Sequence, residues 1–283
     1  MNILHSLRAV PGVSSAGICA YPSLLPRMSA QRRSWAEKLC PNAKSALFAL
    51  FPYDAGPETG NLSRYARGAD YHAVAGRALN CFVLQVQPHY PANRFVVLTD
   101  DSPLPEAFGA CLCGAGRLGD NGLIFDGAHG SFVFIGAVLT DLALPPTPGG
   151  RGCLHCGACR RACPTGALGA DGTVDPSRCL SALTQQGGEL PPAAAAAVAA
   201  APRIWGCDIC SEACPLNRGA APSPNPAFTE NRILSLAPGD LEGLTRRQFQ
   251  ERYPERAFTW RGPAPLRRNL ALQQEKEQND ANP

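Results

Sequence analysis

Eight of the 13 cysteines in this 283-residue chain have the spacing of iron–sulfur ligands. One run reads C-x2-C-x2-C-x3-C-P and a second reads C-x2-C-x3-C-P, and such runs are typical of [4Fe–4S] proteins. The second run has one cysteine fewer because Ile204 occupies the expected upstream position, and Cys179 is free to replace it. We assign four ligands to each of two clusters: Cys153, Cys156, Cys159 and Cys214 to one, and Cys163, Cys179, Cys207 and Cys210 to the other.

Zinc is the alternative metal for repeated C-x2-C pairs. Four cysteines in one short run are too many for half of a zinc site, and both runs end in Cys-Pro. Small residues at 165–168 follow the first run and would bring backbone N–H donors close to cluster sulfur atoms. These features favour clusters and predict a protein that moves single electrons.

The metal ligands also indicate a compartment. Cluster assembly requires reduced thiols, and the N-terminus lacks a basic region followed by an apolar core, so we expect no signal peptide and a cytoplasmic protein. No apolar stretch of 18 residues predicts a membrane span. The net charge of +3 permits a nucleic-acid partner without indicating one. The other cysteines are expected to be mostly buried small hydrophobic residues: Cys19, Cys40, Cys81, Cys111 and Cys113.

The hydrophobic pattern predicts an α/β or α+β domain over residues 1–150, with one side of its sheet covered. Buried strands are predicted at 45–51, 81–86 and 95–98, and a hairpin at 122–125 and 132–139. Helices are predicted at 32–39, 65–79 and 103–112, the last with Ser102 as its N-cap. We expect a cluster module at 151–219, a helical and basic segment at 220–272 and a disordered tail at 273–283, with helices at 191–202 and 245–252.

Segments outside the cysteine runs resemble the epoxyqueuosine reductase family. Residues 61–72, NLSRYARGADYH, resemble the family's RYA-x-G-x-DYH segment, and residues 130–141 resemble its GS…LG…LTD segment. CLSALT at 179–184 is similar to CISYLT, and GCDIC at 206–210 is similar to GCD-x-C. The family's closing segments are matched at 244–249 and 268–270, so the similarity runs in order over residues 40–272.

The resemblance implies an enzyme that reduces the epoxide of epoxyqueuosine in the anticodon loop of a tRNA. It implies cobalamin and two [4Fe–4S] clusters as cofactors, and an external electron donor such as a flavodoxin or ferredoxin. The fold it implies is an α/β (α+β) corrinoid-binding-like domain with an appended ferredoxin-like double-cluster module. We expect a monomer.

The resemblance also assigns site residues. Counting back from Gly119-Asp120-Asn121 places the family's catalytic aspartate at Asp100. A carboxyl group after an apolar strand is where open α/β sheets place their chemistry, and burial would raise its pKa and suit it to donate a proton. Alternatively, Asp100 or Asp101 caps the next helix. By motif, the cofactor contacts are Tyr65, Tyr71, His72, Asp100, Ser181 and Asp208, although a lone histidine is as often a structural hydrogen-bonding residue.

Three positions depart from the family pattern and keep other functions open. Asp120 replaces a lysine, and Ala107 and Cys111 replace an arginine and a glutamate. One alternative is therefore a corrinoid reductase of another small molecule. A different alternative is a two-cluster ferredoxin-type electron-transfer protein without cobalamin.

A basic C-terminal segment is the candidate tRNA contact. Arginines interleaved with aromatic residues can meet phosphates and stack on unpaired bases. The alternative is a packed element with solvated arginines. The residues concerned are Arg246, Arg247, Phe249, Arg252, Tyr253, Arg256, Phe258, Trp260, Arg261, Arg267 and Arg268.

Overall fold

The computed structural model describes residues 1–150, 152–170 and 172–281. Contacts divide the chain into two compact units: residues 1–54, 71–155 and 216–226 form the first, and residues 55–70, 156–215 and those from 227 onward form the second. This division differs from the continuous domains expected from the sequence, because separate segments pair across long sequence distances within each unit. Arg151, where the predicted module starts, and the last two residues of the predicted tail lie outside the described residues.

The first unit is built on a four-stranded sheet with the strand order β1 (Ser15–Ala20), β2 (Ser45–Pro52), β6 (Val133–Thr140) and β3 (Phe95–Thr99), in which every neighbouring pair is antiparallel. The predicted strands at 45–51 and 95–98 are confirmed as β2 (Ser45–Pro52) and β3 (Phe95–Thr99). The sheet contains no parallel pair, so the rule for the carboxyl ends of open parallel sheets does not account for the position of Asp100.

Both faces of this sheet are covered, whereas the sequence predicted one. All residues of β2 are buried, and Phe48 packs on one face within 3 Å of the point where a Cβ on Gly109 would lie. On the other face, Phe51 and Leu79 close over Gly136. Continuous apolar strands of this kind are expected where helices cover both sides.

One predicted strand and one predicted hairpin are wrong. Residues 81–86 belong to helix α3 (Tyr71–Val86), whose buried side chains recur every three or four residues, and a short apolar run alone cannot distinguish this period from a strand. The expected hairpin does not form, because β5 (Ile124–Phe125) pairs with β4 (Arg117–Leu118) while β6 (Val133–Thr140) pairs with β2 and β3.

Ser102 does not cap the helix that follows it. Its hydroxyl accepts the N–H of Leu104, and helix α4 begins only at Glu106. Of the cysteines expected to be buried, Cys81 is exposed and Cys111 partly exposed, whereas the other three are buried as predicted.

The second unit has its own apolar core, formed around Trp205, Phe249 and Phe258. Segment 61–66 joins this core through backbone pairing of Leu62 with Trp205. The helices predicted at 191–202 and 245–252 are confirmed, and Thr245 caps the second of them through Gln248. Helix α11 (Ala264–Ala281) is helical where a disordered tail was expected, because Leu266 and Leu270 anchor its first turns in the core.

The remaining helices of the first unit are α1 (Ile3–Arg8), α2 (Ala30–Leu39) and α4 (Glu106–Leu112). Along the rest of the chain the remaining helices are α5 (Ala158–Ala162), α6 (Leu180–Gln185), α7 (Pro192–Ala199), α8 (Ile209–Glu212), α9 (Pro226–Thr229) and α10 (Arg246–Arg252). Within the described ranges, no helix has the length and apolar character needed to cross a membrane.

Asn269 joins three segments of the second unit, so its removal is expected to destabilise the protein. Its fully buried amide donates to the carbonyls of Thr184 and Ile204, both at 2.8 Å. We expect Asn269→Ala to lower the free energy of unfolding by about 1–3 kcal/mol, because both carbonyls lose their donor. Urea unfolding of anaerobically prepared protein measures this. Asn80→Ala, at an exposed site on α3, is the control, and equal losses in the two variants would contradict this role.

Candidate functional site

Asp100 directly follows β3 in a strained backbone conformation. Its φ is 63°, in the left-handed region that non-glycine residues seldom occupy, and such a residue costs on the order of 1–3 kcal/mol. This conformation turns the chain between β3 and α4. Strain of this kind persists only where surrounding contacts hold the residue in place.

Two residues at the start of α3 supply those contacts. His72 Nε2 lies 3.3 Å from Asp100 Oδ2, and the Tyr71 side chain also hydrogen-bonds to the carboxylate. The Tyr71 ring stacks on His72, with ring centroids 4.1 Å apart, and on Phe134 of β6, with centroids 4.2 Å apart. The structure thus unites three sequence-predicted residues, Tyr71, His72 and Asp100, into one hydrogen-bonded group.

The electrostatics of Asp100 differ from the sequence expectation. The hydrogen bond from His72 is the largest effect on the pKa of Asp100 and lowers it. Burial raises this pKa, and the hydrogen bond from Tyr71 lowers it further, so the pKa of Asp100 lies below its usual value. The carboxyl group is therefore ionised at neutral pH. The raising effect of burial on this pKa is outweighed by the hydrogen bonds, and 61% of the side chain remains exposed.

Glu106 is an acidic residue of this region that the sequence reasoning missed. It is the first residue of α4, and its Oε1 is buried without a hydrogen-bond partner among the described residues. Burial, aided by the charge of Asp100, raises the pKa of Glu106 to about 8. Acidic residues are common in the first turn of a helix because the helix dipole favours them there. The sequence position of Glu106 therefore gave no sign that its side chain is buried.

The remaining motif residues, Tyr65, Ser181 and Asp208, lie in the second unit. Asp208 is buried and accepts hydrogen bonds from Ser63 Oγ at 2.6 Å and from the Arg64 backbone N–H at 3.1 Å, so it holds the segment that carries Tyr65. Gly206 has a φ of 74°, and a Cβ there would lie 2.7 Å from the Tyr65 ring. The carbonyl of Ser181 accepts a hydrogen bond from Gln185.

The cysteine module fits iron–sulfur clusters in its donor chemistry. None of the 13 cysteines, all of which lie in the described residues, forms a disulfide. Although burial opposes it, hydrogen bonds from Thr165 and from the backbone N–H groups of residues 165–167 lower the pKa of Cys163 and favour the thiolate that binds metal. This agrees with the donors expected from the small residues after the first run.

The surroundings of Cys207 support the proposed ligand sharing. Burial, followed by the charges of Cys210, Asp208 and Cys179, raises the pKa of Cys207 to about 12. Cys207 is therefore close enough to both Cys179 and Cys210 for their charges to act on it, which is consistent with the assignment of these three residues to one cluster. Metal binding at such a site must displace thiol protons.

The aspartate that replaces the family's lysine has a local partner. His155 Nδ1 lies 2.9 Å from Asp120, and the ligand atoms of Asp120, Cys153 and His155 lie within 4.8 Å of one another. Cys153 is already assigned to a cluster, so we assign no separate metal to this trio.

Cobalamin requires accessible polar and aromatic side chains more than it requires metal ligands, because the corrin ring supplies four nitrogen donors of its own. The Tyr71, His72 and Asp100 group meets this requirement, since His72 and Asp100 are 45% and 61% exposed. A ligand can reach these side chains without rearrangement of the first unit. The residues present therefore fit the cofactor.

The C-terminal arginines divide by environment. Arg256 donates to the carbonyls of Arg67 and Asn231, and Arg268 donates to those of Gln186 and Gly188. These two arginines are structural, and the packing alternative, which expected solvated arginines, did not predict their bonds to protein carbonyls. Three of the aromatic residues lie in the core, namely Phe249, Tyr253 and Phe258.

Trp260 and its neighbour remain available at the surface of the second unit. The Trp260 side chain is 49% exposed, and the Arg261 guanidinium lies 3.9 Å from its ring centroid. Arg247 is 88% exposed and pairs with Glu251. These residues form a smaller candidate surface for nucleic acid than the sequence indicated.

Two family models match this chain. Residues 152–217 match the 4Fe-4S double cluster binding domain, and residues 33–101 match the model described as "Epoxyqueuosine reductase QueG, DUF1730". The first match gives the chain a double-cluster module. The second covers the segment that ends just after Asp100.

Named relatives and solved structures agree with these models. The chain is 32% identical to an epoxyqueuosine reductase of Lactococcus garvieae over 75% of this chain and 60% of the relative, and 30% identical to one of Synechocystis sp. over 86% and 87%. A crystal structure of selenomethionine-labelled epoxyqueuosine reductase superposes with a TM-score of 0.84 at 25% identity, over 99% of this chain and 82% of that one.

Two further structures of such enzymes match at 25% identity with a TM-score of 0.82. One contains an epoxyqueuosine-modified tRNA-Tyr stem loop, and its match covers 96% of this chain and 79% of the chain in that structure. The other, from Bacillus subtilis, has a catalytic aspartate loop swung out of its active site and is covered over 99% and 82%.

The chain spans less than two thirds of the length of the first of these relatives, and more than four fifths of the Synechocystis protein. The ordered motifs, the double-cluster module and the fold agree with one another. This chain belongs to the epoxyqueuosine reductase family.

Proposed function

We propose that this protein reduces epoxyqueuosine to queuosine in the anticodon loop of a tRNA. The observation that carries the proposal is the hydrogen-bonded Tyr71–His72–Asp100 group in a chain that also holds a double-cluster module. A relative whose structure contains an epoxyqueuosine-modified stem loop supports the substrate. The reducing cytoplasm is the proposed compartment, because the ligand thiols must remain reduced.

The cofactors follow from the donor sets. Cys153, Cys156, Cys159 and Cys214 would hold one cluster, and Cys163, Cys179, Cys207 and Cys210 the other. Cobalamin, when bound, supplies a reducible cobalt centre for the substrate. We propose Tyr71, His72 and Asp100 as contacts in the first unit, while Tyr65 and Ser181 are assigned by motif and Asp208 supports the segment of Tyr65. Electrons would come from an external donor such as a flavodoxin or ferredoxin.

Asp100 would handle the proton at the epoxide oxygen, which must be protonated as its bonds to carbon break. His72 and Tyr71 orient the carboxyl group, and Phe134 fixes the position of Tyr71. The exposed face of the group would meet the substrate. The catalytic aspartate loop of the Bacillus subtilis enzyme supports this role.

Substitution of Asp100 tests the proposed function. Reconstituted protein with cobalamin, a strong reductant and epoxyqueuosine-containing tRNA is expected to yield queuosine. Asp100→Asn should slow turnover by roughly 10²–10⁴-fold, since the amide cannot exchange the proton. Mass analysis of the nucleosides measures this, with Asp101→Asn as the matched control. Undiminished turnover by Asp100→Asn would remove Asp100 from the chemistry, and failure to retain cobalamin would favour the ferredoxin-type alternative.

Substitution of Cys179 tests the cluster assignment. Wild-type protein is expected to hold about eight irons per chain, and Cys179→Ser should retain about four because only one cluster loses a ligand. Iron analysis and electron paramagnetic resonance of anaerobic samples measure this. Cys81→Ser, at an exposed thiol on α3, should keep the full complement. Full iron retention and unchanged spectra in Cys179→Ser would overturn the assignment.

Substitutions in the C-terminal segment test the tRNA surface. Trp260→Ala should weaken tRNA binding roughly 5- to 150-fold, the equivalent of about 1–3 kcal/mol for one stacked base. Arg247→Ala should reduce the slope of log affinity against log salt concentration by about the amount that one phosphate contact contributes. Binding titrations over a range of salt concentrations measure both effects. Glu242→Gln serves as a surface control in the same unit, and a salt dependence unchanged in Arg247→Ala would exclude Arg247 as a phosphate contact.

A further inference from the structure

The proposed reaction requires more protons than Asp100 alone holds. Removal of the epoxide oxygen breaks two C–O bonds, forms a C=C bond and releases water, which consumes two electrons and two protons. The electrons come from the external one-electron donor of the proposed function. Asp100 is ionised at neutral pH because His72 and Tyr71 hydrogen-bond to it, so both protons must reach the site from elsewhere.

Glu106 is close enough to this carboxylate for the charge of Asp100 to act on it, and its environment favours a neutral acid. Its Oε1 is buried and has no hydrogen-bond partner in the described part of the chain, and the Ser102 hydroxyl hydrogen-bonds to the carboxyl group. A buried oxygen of this kind carries a large desolvation cost when the group is ionised.

Burial is the largest cause of the raised pKa of Glu106, and the charge of Asp100 adds to it. The Ser102 hydrogen bond, Arg32 and His72 act in the opposite direction, and the resulting pKa is about 8. The strands that pack most closely on α4 add one charged side chain, Arg117, and the buried thiol of Cys19, whose pKa of about 12 keeps it neutral. Glu106 therefore carries a proton at pH 7 while Asp100 does not.

Two neighbouring acids whose surroundings move their pKa values apart commonly divide the roles of acid and base between them. Each ionised partner also disfavours ionisation of the other, so a proton that leaves one is more readily held by its neighbour. The two carboxyl groups at the start and end of the turn 100–106 have this relation.

We propose that Glu106 stores one of the two protons for the reduction of epoxyqueuosine and passes it to the Asp100 carboxylate, which delivers it to the epoxide oxygen. The second proton comes from solvent at the exposed Asp100 side chain, and both protons leave in the water that is released. Glu106 does not touch the substrate and acts through Asp100. This inference rests on the proposed function.

Infrared spectroscopy and kinetics of the full, cluster-containing chain test it. Wild type is expected to show a protonated-carboxyl band at pH 7 that disappears with a midpoint near pH 8. The band should be absent in Glu106→Gln and present in Glu37→Gln, an exposed glutamate on α2. In Asp100→Asn its midpoint should move to lower pH, because the neighbouring charge is gone.

The rate of a single turnover supplies the functional readout. Glu106→Gln should slow it roughly 100-fold and remove the decline of the wild-type rate above about pH 8, whereas Glu106→Asp should restore part of the rate. Absence of the band at pH 7, or equal rates for wild type and Glu106→Gln at every pH, would overturn the inference. An inactive wild type with intact clusters and bound cobalamin would instead refute the proposed function, and with it the role of Glu106 in that reaction.

Discussion

The hydrogen bonds from Tyr71 and His72 to Asp100 connect the start of α3 to the end of β3, and the geometry of the candidate site depends on this connection. Asp100 has a left-handed backbone that is unfavourable by itself, and the two donors offset that cost. Tyr71 can donate in the right direction because its ring lies flat against Phe134 on β6. The antiparallel pairing of β6 with β3 places that ring beside the aspartate.

The same turn separates two carboxyl groups into opposite states. Asp100 faces hydrogen-bond donors and solvent, which stabilise its charge, whereas Glu106 is buried, which disfavours its charge. The two residues are six positions apart in the sequence, and their protonation states differ because Glu106 is more deeply buried than Asp100. Two acidic residues of the same turn therefore provide one ionised carboxyl group, Asp100, and one neutral carboxyl group, Glu106.

The C-terminal segment shows the same dependence on burial. Its arginines and aromatic residues form one pattern in the sequence, yet Arg256 and Arg268 donate to protein carbonyls and Phe249 and Phe258 fill the core. Trp260 and Arg247 remain at the surface. A sequence pattern of alternating cationic and aromatic residues therefore overstates the surface that can bind nucleic acid, because some of these residues are used to form the fold.

The cysteine spacing determined the type of metal centre without any structure, because ligands within one short run are close in any fold. The order of the motifs likewise identified the family, and uninterrupted apolar runs predicted β2 and β3. The helical identity of residues 81–86 and the antiparallel partners of β6 were decided by tertiary packing, since a short apolar run fits either a strand or a buried helix. Only the tertiary structure identified Glu106 and the direction of the Asp100 pKa, because burial and neighbouring charges come from segments that are distant in the sequence.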